Sequence, residues 1–246
     1  MPRHDFAQLL FGGPCNLRCR DCVGRALAWE VPDTLGAWPP PGLLRFGARL
    51  RAEGLRELSL SGVNTDPLLY RHLGRLLGWL RAEHPGVRLS LHTNGRLLLA
   101  RRAELEGLTR LSLSVPSLRP ATCLALTGSP EVLDLPALVR AALVPVKVSV
   151  LLGPENRAEL PELLERARAA GVRRVALRQR VGARDAYDPL PAHRPVGLFA
   201  GNPVYDLDGL EVSVWDFART TLRALSLLPD GRLEDGYLLP GLRAAA

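Results

Sequence analysis

Short apolar runs alternate with longer segments of helical periodicity along most of the chain. The runs are FAQLLFG (6–12), ELSLSG (57–62), RLSLHTNG (88–95), RLSLSVP (110–116), VKVSVLLG (146–153) and RVALRQ (174–179). Each is long enough for one buried parallel strand. Between the second and third, DPLLYRHLGRLLGWLRAEHPG sets Leu68, Leu69, Leu73, Leu76, Leu77 and Leu80 at helical spacing and stops at His84-Pro85-Gly86. ENRAELPELLERARAAG repeats the pattern with Leu160, Leu163 and Leu164 and ends at Gly171. Parallel neighbours need a crossover, usually a helix, so residues 1–184 predict an α/β unit, a partial (β/α)6 barrel of parallel strands. After Arg184 the rhythm changes. NPVYDLDGLEVSVWDF and TLRALSLLPDGRL contain the hairpin dipeptides Asp208-Gly209 and Asp230-Gly231. Residues 185–246 therefore predict an irregular connection and a small C-terminal antiparallel β meander packed on the barrel.

Composition agrees with one main domain and an appendage: 246 residues at 47% hydrophobic content bury a sizeable core. The net charge is +7, but Lys147 is the only lysine and the arginines are scattered through helical stretches. No basic run is interleaved with exposed aromatics, which argues against a nucleic-acid partner. MPRHDFAQLLFGG lacks the apolar region and cleavage site of a signal peptide, and no run of about 18 apolar residues occurs. The expectation is a cytoplasmic protein without a membrane partner.

Three cysteines, Cys15, Cys19 and Cys22, stand together in FGGPCNLRCRDCVGR on the loop that follows the first strand. Barrel active sites are built on such loops. In a reducing compartment, clustered cysteines favour a metal over disulfides. Zinc in a structural site takes four protein ligands, usually as two separated pairs, and here the fourth would be His4, His92 or the distant Cys123. An iron-sulfur cube is normally held by four cysteines, so three leave one iron open to a substrate or cofactor. Cys123 in RPATCLALTG lies in a helix-like stretch and reads as a small buried hydrophobe.

CNLRCRDC resembles the signature loop of the radical S-adenosylmethionine enzymes, and other stretches follow in the family's order. LSLSGVNTDPLLY resembles its Gly-Gly-Glu-Pro stretch and SLHTNGRLL its Thr-Asn-Gly stretch, while LSLSVPS stands where the fourth strand offers a polar residue to the ribose. VKVSVLLGPENRAELPELLERARAAGVRRVALRQ is similar to the fifth and sixth units of the branch containing the molybdenum-cofactor enzyme of GTP rearrangement. The resemblance spans about residues 6–180. It departs at Asp21, where the family usually has an aromatic beside the adenine, and at Ser61-Gly62-Val63-Asn64-Thr65-Asp66, which lacks the double glycine and glutamate. Val23 and Leu91 could supply the apolar wall instead.

The resemblance implies that Cys15, Cys19 and Cys22 hold a 4Fe-4S cluster whose open iron chelates S-adenosylmethionine. The backbone near Gly62, with Asn64, Thr65 or Asp66, would meet the methionine end. Ser114 and Asn156 would meet the ribose, and the Leu151–Leu152 backbone the adenine. The implied reaction is reductive cleavage to a 5'-deoxyadenosyl radical that abstracts hydrogen from a small polar or anionic molecule, with flavodoxin or ferredoxin as electron donor. Alternatives are an activating enzyme or modifier acting on a protein or peptide partner, and a non-catalytic iron-sulfur electron carrier or zinc-stabilised α/β domain. On the substrate side stand His92, Arg178, Arg180, Arg184 and Trp215; guanidinium geometry suits a carboxylate or phosphate, although solvated surface arginines are an equal reading. No cysteine cluster in the tail provides for an auxiliary iron-sulfur centre. Asn64-Thr65-Asp66 also reads as the cap of a helix beginning at Pro67, and Asn94-Gly95 as a plain turn.

Overall fold

The computed structural model describes residues 3–181 and 188–237. In chain order its elements are β1 (Phe6–Phe11), α1 (Leu43–Glu53), β2 (Glu57–Gly62), α2 (Leu73–Glu83), β3 (Arg88–Thr93), β4 (Arg110–Ser114), α3 (Pro120–Thr127) and α4 (Leu135–Ala141). There follow β5 (Val146–Leu151), α5 (Leu160–Ala169), β6 (Arg174–Arg178), β7 (Gly197–Phe199), β8 (Asn202–Leu207), β9 (Leu210–Trp215), β10 (Ala224–Leu227) and β11 (Leu233–Asp235). All six expected parallel strands are present, so the class is α/β as the apolar runs require. α1 is an addition to the sequence expectation. No helix among the described residues is long and apolar enough to cross a membrane.

The described chain divides into two compact units. The first comprises residues 3–16, 23–111 and 222–237, with strand order β11-β10-β1-β2-β3. β10, β1, β2 and β3 run parallel, and β11 is antiparallel to β10. α2 buries Leu73, Leu76, Leu77 and Leu80 on one face, and each such leucine contributes about 1.5–3 kcal/mol. α1 buries Leu43, Phe46 and Leu50 and ends at Gly54, whose left-handed φ of 62° lets its N–H return to the carbonyls of the last turn. His4 is buried and bridges Glu53 at the end of α1 (2.6 Å) and Asp235 of β11 (3.1 Å).

The second unit comprises residues 17–22, 112–181 and 188–221, with strand order β5-β6-β9-β8-β7. β5, β6 and β9 are parallel, and β9-β8-β7 is antiparallel. The Asp208-Gly209 turn has both φ angles positive, 52° and 79°, the backbone that a two-residue hairpin demands. α5 buries Leu160, Leu163, Leu164 and Ala167. β4 straddles the division. Thr109 before it donates to Leu89 O of β3 in the first unit, and Val115 after it donates to Ser149 O of β5 in the second.

The antiparallel C-terminal strands expected from the sequence are present, as a three-stranded set in the second unit and a β10-β11 hairpin in the first. β9 leaves its hairpin to pair in parallel with β6, and β10 pairs in parallel with β1. β10 is buried at all four positions, so it needs cover on both faces and takes an interior place that a solvated meander lacks. The expected division at residues 184 and 185 lies outside the described residues.

Burial raises the Glu53 carboxyl, but hydrogen bonds from Arg49 and His4 outweigh it and hold the group below its usual range. These bonds contribute stability that is complete above the unfolded-state value and lost as pH falls through the lower folded value. Urea unfolding between about pH 5 and about pH 3 is expected to show a shallower loss of stability in Glu53→Gln than in the wild type. Equal slopes would remove Glu53 from the acid response.

Candidate functional site

In the first unit the chain leaves β1 through Gly12-Gly13-Pro14 into Cys15. A Cβ at Gly12 would lie 2.3 Å from Pro32 O, and Gly13 adopts a φ of 143° with Asp33 Oδ1 2.6 Å from where its Cβ would stand. Only glycine passes there. Two neighbouring side chains fix this exit. Asn64 Oδ1 accepts from Gly13 N–H (3.0 Å) and Thr65 Oγ1 donates to Pro14 O (2.7 Å). Gly62 starts the turn that carries them, and a Cβ on it would fall 1.8 Å from Thr65 O.

Asp66 closes the same turn from inside. It is buried, caps the short helical turn at Pro67 by accepting from Leu68 N–H (2.9 Å), and accepts from Thr93 Oγ1 (2.9 Å) and Asn94 N–H (2.6 Å). Burial pushes its carboxyl above the usual range against those hydrogen bonds. Asn94 Nδ2 then reaches Asn16 Oδ1 (2.8 Å), beside Cys15. Asn64, Thr65 and Asp66 thus brace the start of the cysteine loop and the Thr-Asn-Gly turn. His92 lies half-buried on β3. A cleft of about 670 Å³ opens beside Cys15 and Asn16, lined also by Asp33, Leu35, Leu69 and Arg71. Arg71 makes no ion pair among the described residues.

In the second unit the segment Leu17–Cys22 is docked on the end of α3. Arg18 N–H donates to Thr127 O (2.8 Å) and Arg20 N–H to Leu126 O (2.9 Å). Arg20 donates to Glu155 (2.7 Å) and Asp21 (2.9 Å), and Arg180 donates to Glu155 (3.0 Å) and approaches Asp21 (3.6 Å). The Arg20 hydrogen bond, first among several causes, lowers Glu155 to about 2. Asn156 is buried, its Oδ1 accepting from Gly153 N–H (2.8 Å) and its Nδ2 donating to Pro116 O (2.8 Å) and Leu151 O (3.0 Å). It therefore binds the exits of β4 and β5 together. Ser114 is exposed at the end of β4 and Leu151 at the end of β5. Arg178 at the end of β6 stands in register with Leu151 and with the buried Trp215. Its Nε is buried, and its side chain has no ion pair or hydrogen bond among the described residues. Arg184 lies outside the described residues. Cys123 is buried in α3, as its apolar neighbours implied.

Cys15, Cys19 and Cys22 are reduced thiols, each half-exposed. Among the described residues no three Cys, His, Asp or Glu side chains are gathered as donors to one metal ion. By their chemistry the three thiols are donors of the kind an iron-sulfur cluster would take, and Cys123 stands apart from them, buried in α3 with its thiol donating to Ser117 O (3.5 Å).

No family model matches the chain. GTP 3',8-cyclase of Paenarthrobacter nicotinovorans is 36% identical over 159 residues, 61% of this chain and 44% of that protein. GTP 3',8-cyclase of Sulfurimonas denitrificans is 27% identical over 175 residues, 68% of this chain and 53% of that protein. Streptococcus suis SuiB bound to precursor peptide SuiA shares the fold with a TM-score of 0.57 at 16% identity, over 72% of this chain and 40% of that one. Native anSMEcpe with bound AdoMet does so with a TM-score of 0.56 at 15% identity, over 74% and 55%. The chain is thus similar in sequence to GTP 3',8-cyclases over about three fifths of its length, and similar in fold to these solved structures. It spans about half the length of the curated relatives it matches.

Arg20, Glu155 and Arg71 were outside the sequence expectation. Arg20 and Glu155 lie 135 positions apart, and only the adjacent Arg20-Asp21 pair hinted at a charged loop. Asp66→Asn keeps one acceptor where Leu68 N–H and Asn94 N–H each need one, so a buried donor faces a donor. A loss of about 1–3 kcal/mol in urea unfolding is expected; an unchanged midpoint would show that the turn rearranges without cost.

Proposed function

We propose that the protein is a radical S-adenosylmethionine enzyme acting on a small anionic or polar substrate, with Cys15, Cys19 and Cys22 as ligands of a 4Fe-4S cluster. The observation that supports this reading is that all three thiols are half-exposed, on a loop whose entry and turn are each held by dedicated side chains. When bound, the cluster and S-adenosylmethionine supply one-electron cleavage to a 5'-deoxyadenosyl radical that takes hydrogen from the substrate; flavodoxin or ferredoxin is the proposed donor.

The chain's own residues bind and orient. A cationic methionine ammonium taken from water needs acceptors. The side chains of Asn64, Thr65 and Asp66 are already bonded, so the backbone carbonyls of the Gly62–Asp66 turn are the groups we assign to it. Ser114 offers an exposed hydroxyl to the ribose, while Asn156 sets the loops around it. The Leu151–Leu152 backbone is assigned to the adenine. His92 faces the substrate from β3 in this reading. For substrate charge the two arginines differ: Arg180 is compensated by Glu155 and Asp21, whereas Arg178, in register with Trp215, has no ion pair among the described residues. Arg178 is the assigned anion contact, and GTP, named for the relatives' reaction, is an anion of that kind.

A second reading is a peptide substrate. It is favoured by the β7 edge, where Val196, Leu198 and Phe199 are exposed by 69%, 75% and 52%, a surface suited to strand addition. SuiB, of the same fold, is solved with a precursor peptide.

Anaerobic reconstitution with iron and sulfide, then dithionite reduction with S-adenosylmethionine, is expected to yield 5'-deoxyadenosine from the wild type and none from Cys19→Ala. A reducible cluster that neither binds nor cleaves S-adenosylmethionine would overturn the reading in favour of an electron carrier. Once a substrate is found, Arg178→Gln is expected to raise its KM about 10- to 100-fold while substrate-free cleavage persists, the loss of one charged hydrogen bond. An unchanged KM would remove Arg178 from the anion site.

A further inference from the structure

Four charged side chains from three separate parts of the second unit close on one another around the Leu17–Cys22 segment. Arg20 and Asp21 come from the segment itself, Glu155 from the loop after β5, and Arg180 from the loop after β6. Arg20 Nη1 donates to one Glu155 oxygen (2.7 Å) and Arg180 Nη2 to the other (3.0 Å), so one carboxylate joins two guanidinium groups. Asp21 completes the ring from the opposite side, 2.9 Å from Arg20 and 3.6 Å from Arg180. Two positive and two negative groups alternate, leaving the ring neutral. Isolated exposed pairs contribute little, but networks in which one carboxylate bridges two guanidinium groups are the exception. Gly153 passes close to the ring: a Cβ there would stand 2.4 Å from Arg180 Nη2, the movable end of that side chain.

We infer that Arg20, Asp21, Glu155 and Arg180 form a latch that orders the turn carrying Cys19 and Cys22 before an iron-sulfur cluster is taken up. The inference rests on the proposed function for the identity of the cluster. The four residues are positioning residues, not ligands. Asp21 accounts for its own presence where the family usually carries an aromatic: it exchanges an apolar contact for the fourth corner of the ring. Arg180 is thereby a loop anchor, and its charge is consumed within the protein. Between Cys19 and Cys22 only two residues intervene, and both belong to the latch. Backbone bonds from Arg18 and Arg20 to the last carbonyls of α3 fix the segment's other side, so the latch acts on a turn already tethered along its backbone.

The test compares the wild type, Glu155→Gln and Glu162→Gln, the last breaking an exposed pair with Arg166 on α5 that has no part in the ring. Hydrogen exchange of the cluster-free full chain is expected to show residues 17–22 exchanging about tenfold faster in Glu155→Gln, with β5 and α5 unchanged. Iron-sulfur uptake, followed by absorbance and bound iron, is expected to slow several-fold in that variant, and raised salt should slow the wild type in the same direction. Glu162→Gln should match the wild type in both. Unaltered exchange of residues 17–22 in Glu155→Gln overturns the latch, as does faster exchange with unaltered uptake. If the wild type takes up no cluster, the proposed function fails, and the exchange comparison alone then supports or overturns the latch as an ordering device.

Discussion

A parallel strand that ends inside a protein leaves its last amide and carbonyl groups without ladder partners, and burial makes each of them costly. The mouth of this fold is organised by side chains that answer that demand. Asp66 takes the amides beyond β2 and β3, and Asn156 takes one amide and two carbonyls at the exits of β4 and β5. Glu159 is buried and accepts from Ser117, Leu118 and Thr122 between α3 and α5. Each of these residues belongs to the short connection that turns the chain from strand to helix. The loops at these strand exits are therefore held by polar bonds with defined direction, not by apolar packing that tolerates sliding.

The two ends of the cysteine loop are secured by different forces. Its entry, in the first unit, depends on neutral hydrogen bonds, accepted by Asn64 and donated by Thr65, and on glycines at which a Cβ has no space. Its later turn, in the second unit, depends on charge. The hydrogen bond from Arg20, first among several causes, lowers the Glu155 carboxyl to about 2. The single lysine, Lys147, stands on β5 away from that ring in sequence.

The strand frame was legible because each run sets apolar residues at alternate positions and ends at a turn signal. Leu58, Leu60, Leu89, Leu91, Val148 and Val150 are all buried where the runs placed them. The capping of the Pro67 turn by Asp66 was legible for a local reason, since Asp before Pro is a helix-start signature. Cys123 was legible from its apolar neighbours. What escaped the sequence is non-local. The parallel pairing of β9 with β6 and of β10 with β1 depends on which edge is open once the other strands have assembled, and hairpin dipeptides specify only the antiparallel partner. The commitment of Asn156 to three backbone groups was invisible for the same reason: an asparagine after a strand has the same sequence appearance whether it faces a ligand or a loop.

β7 has a consequence for how the molecule lives among copies of itself. An edge strand with apolar side chains and unpaired ladder groups is a template for stacking. Here the template is Gly197–Phe199, three residues, shorter than the six- or seven-residue segments that sustain cross-β growth. Phe199 is moreover drawn toward the indole of Trp215, with ring centroids 6.1 Å apart, so part of its surface is already spent inward. Brevity and that inward pull let the protein keep a sticky margin without seeding its own aggregation.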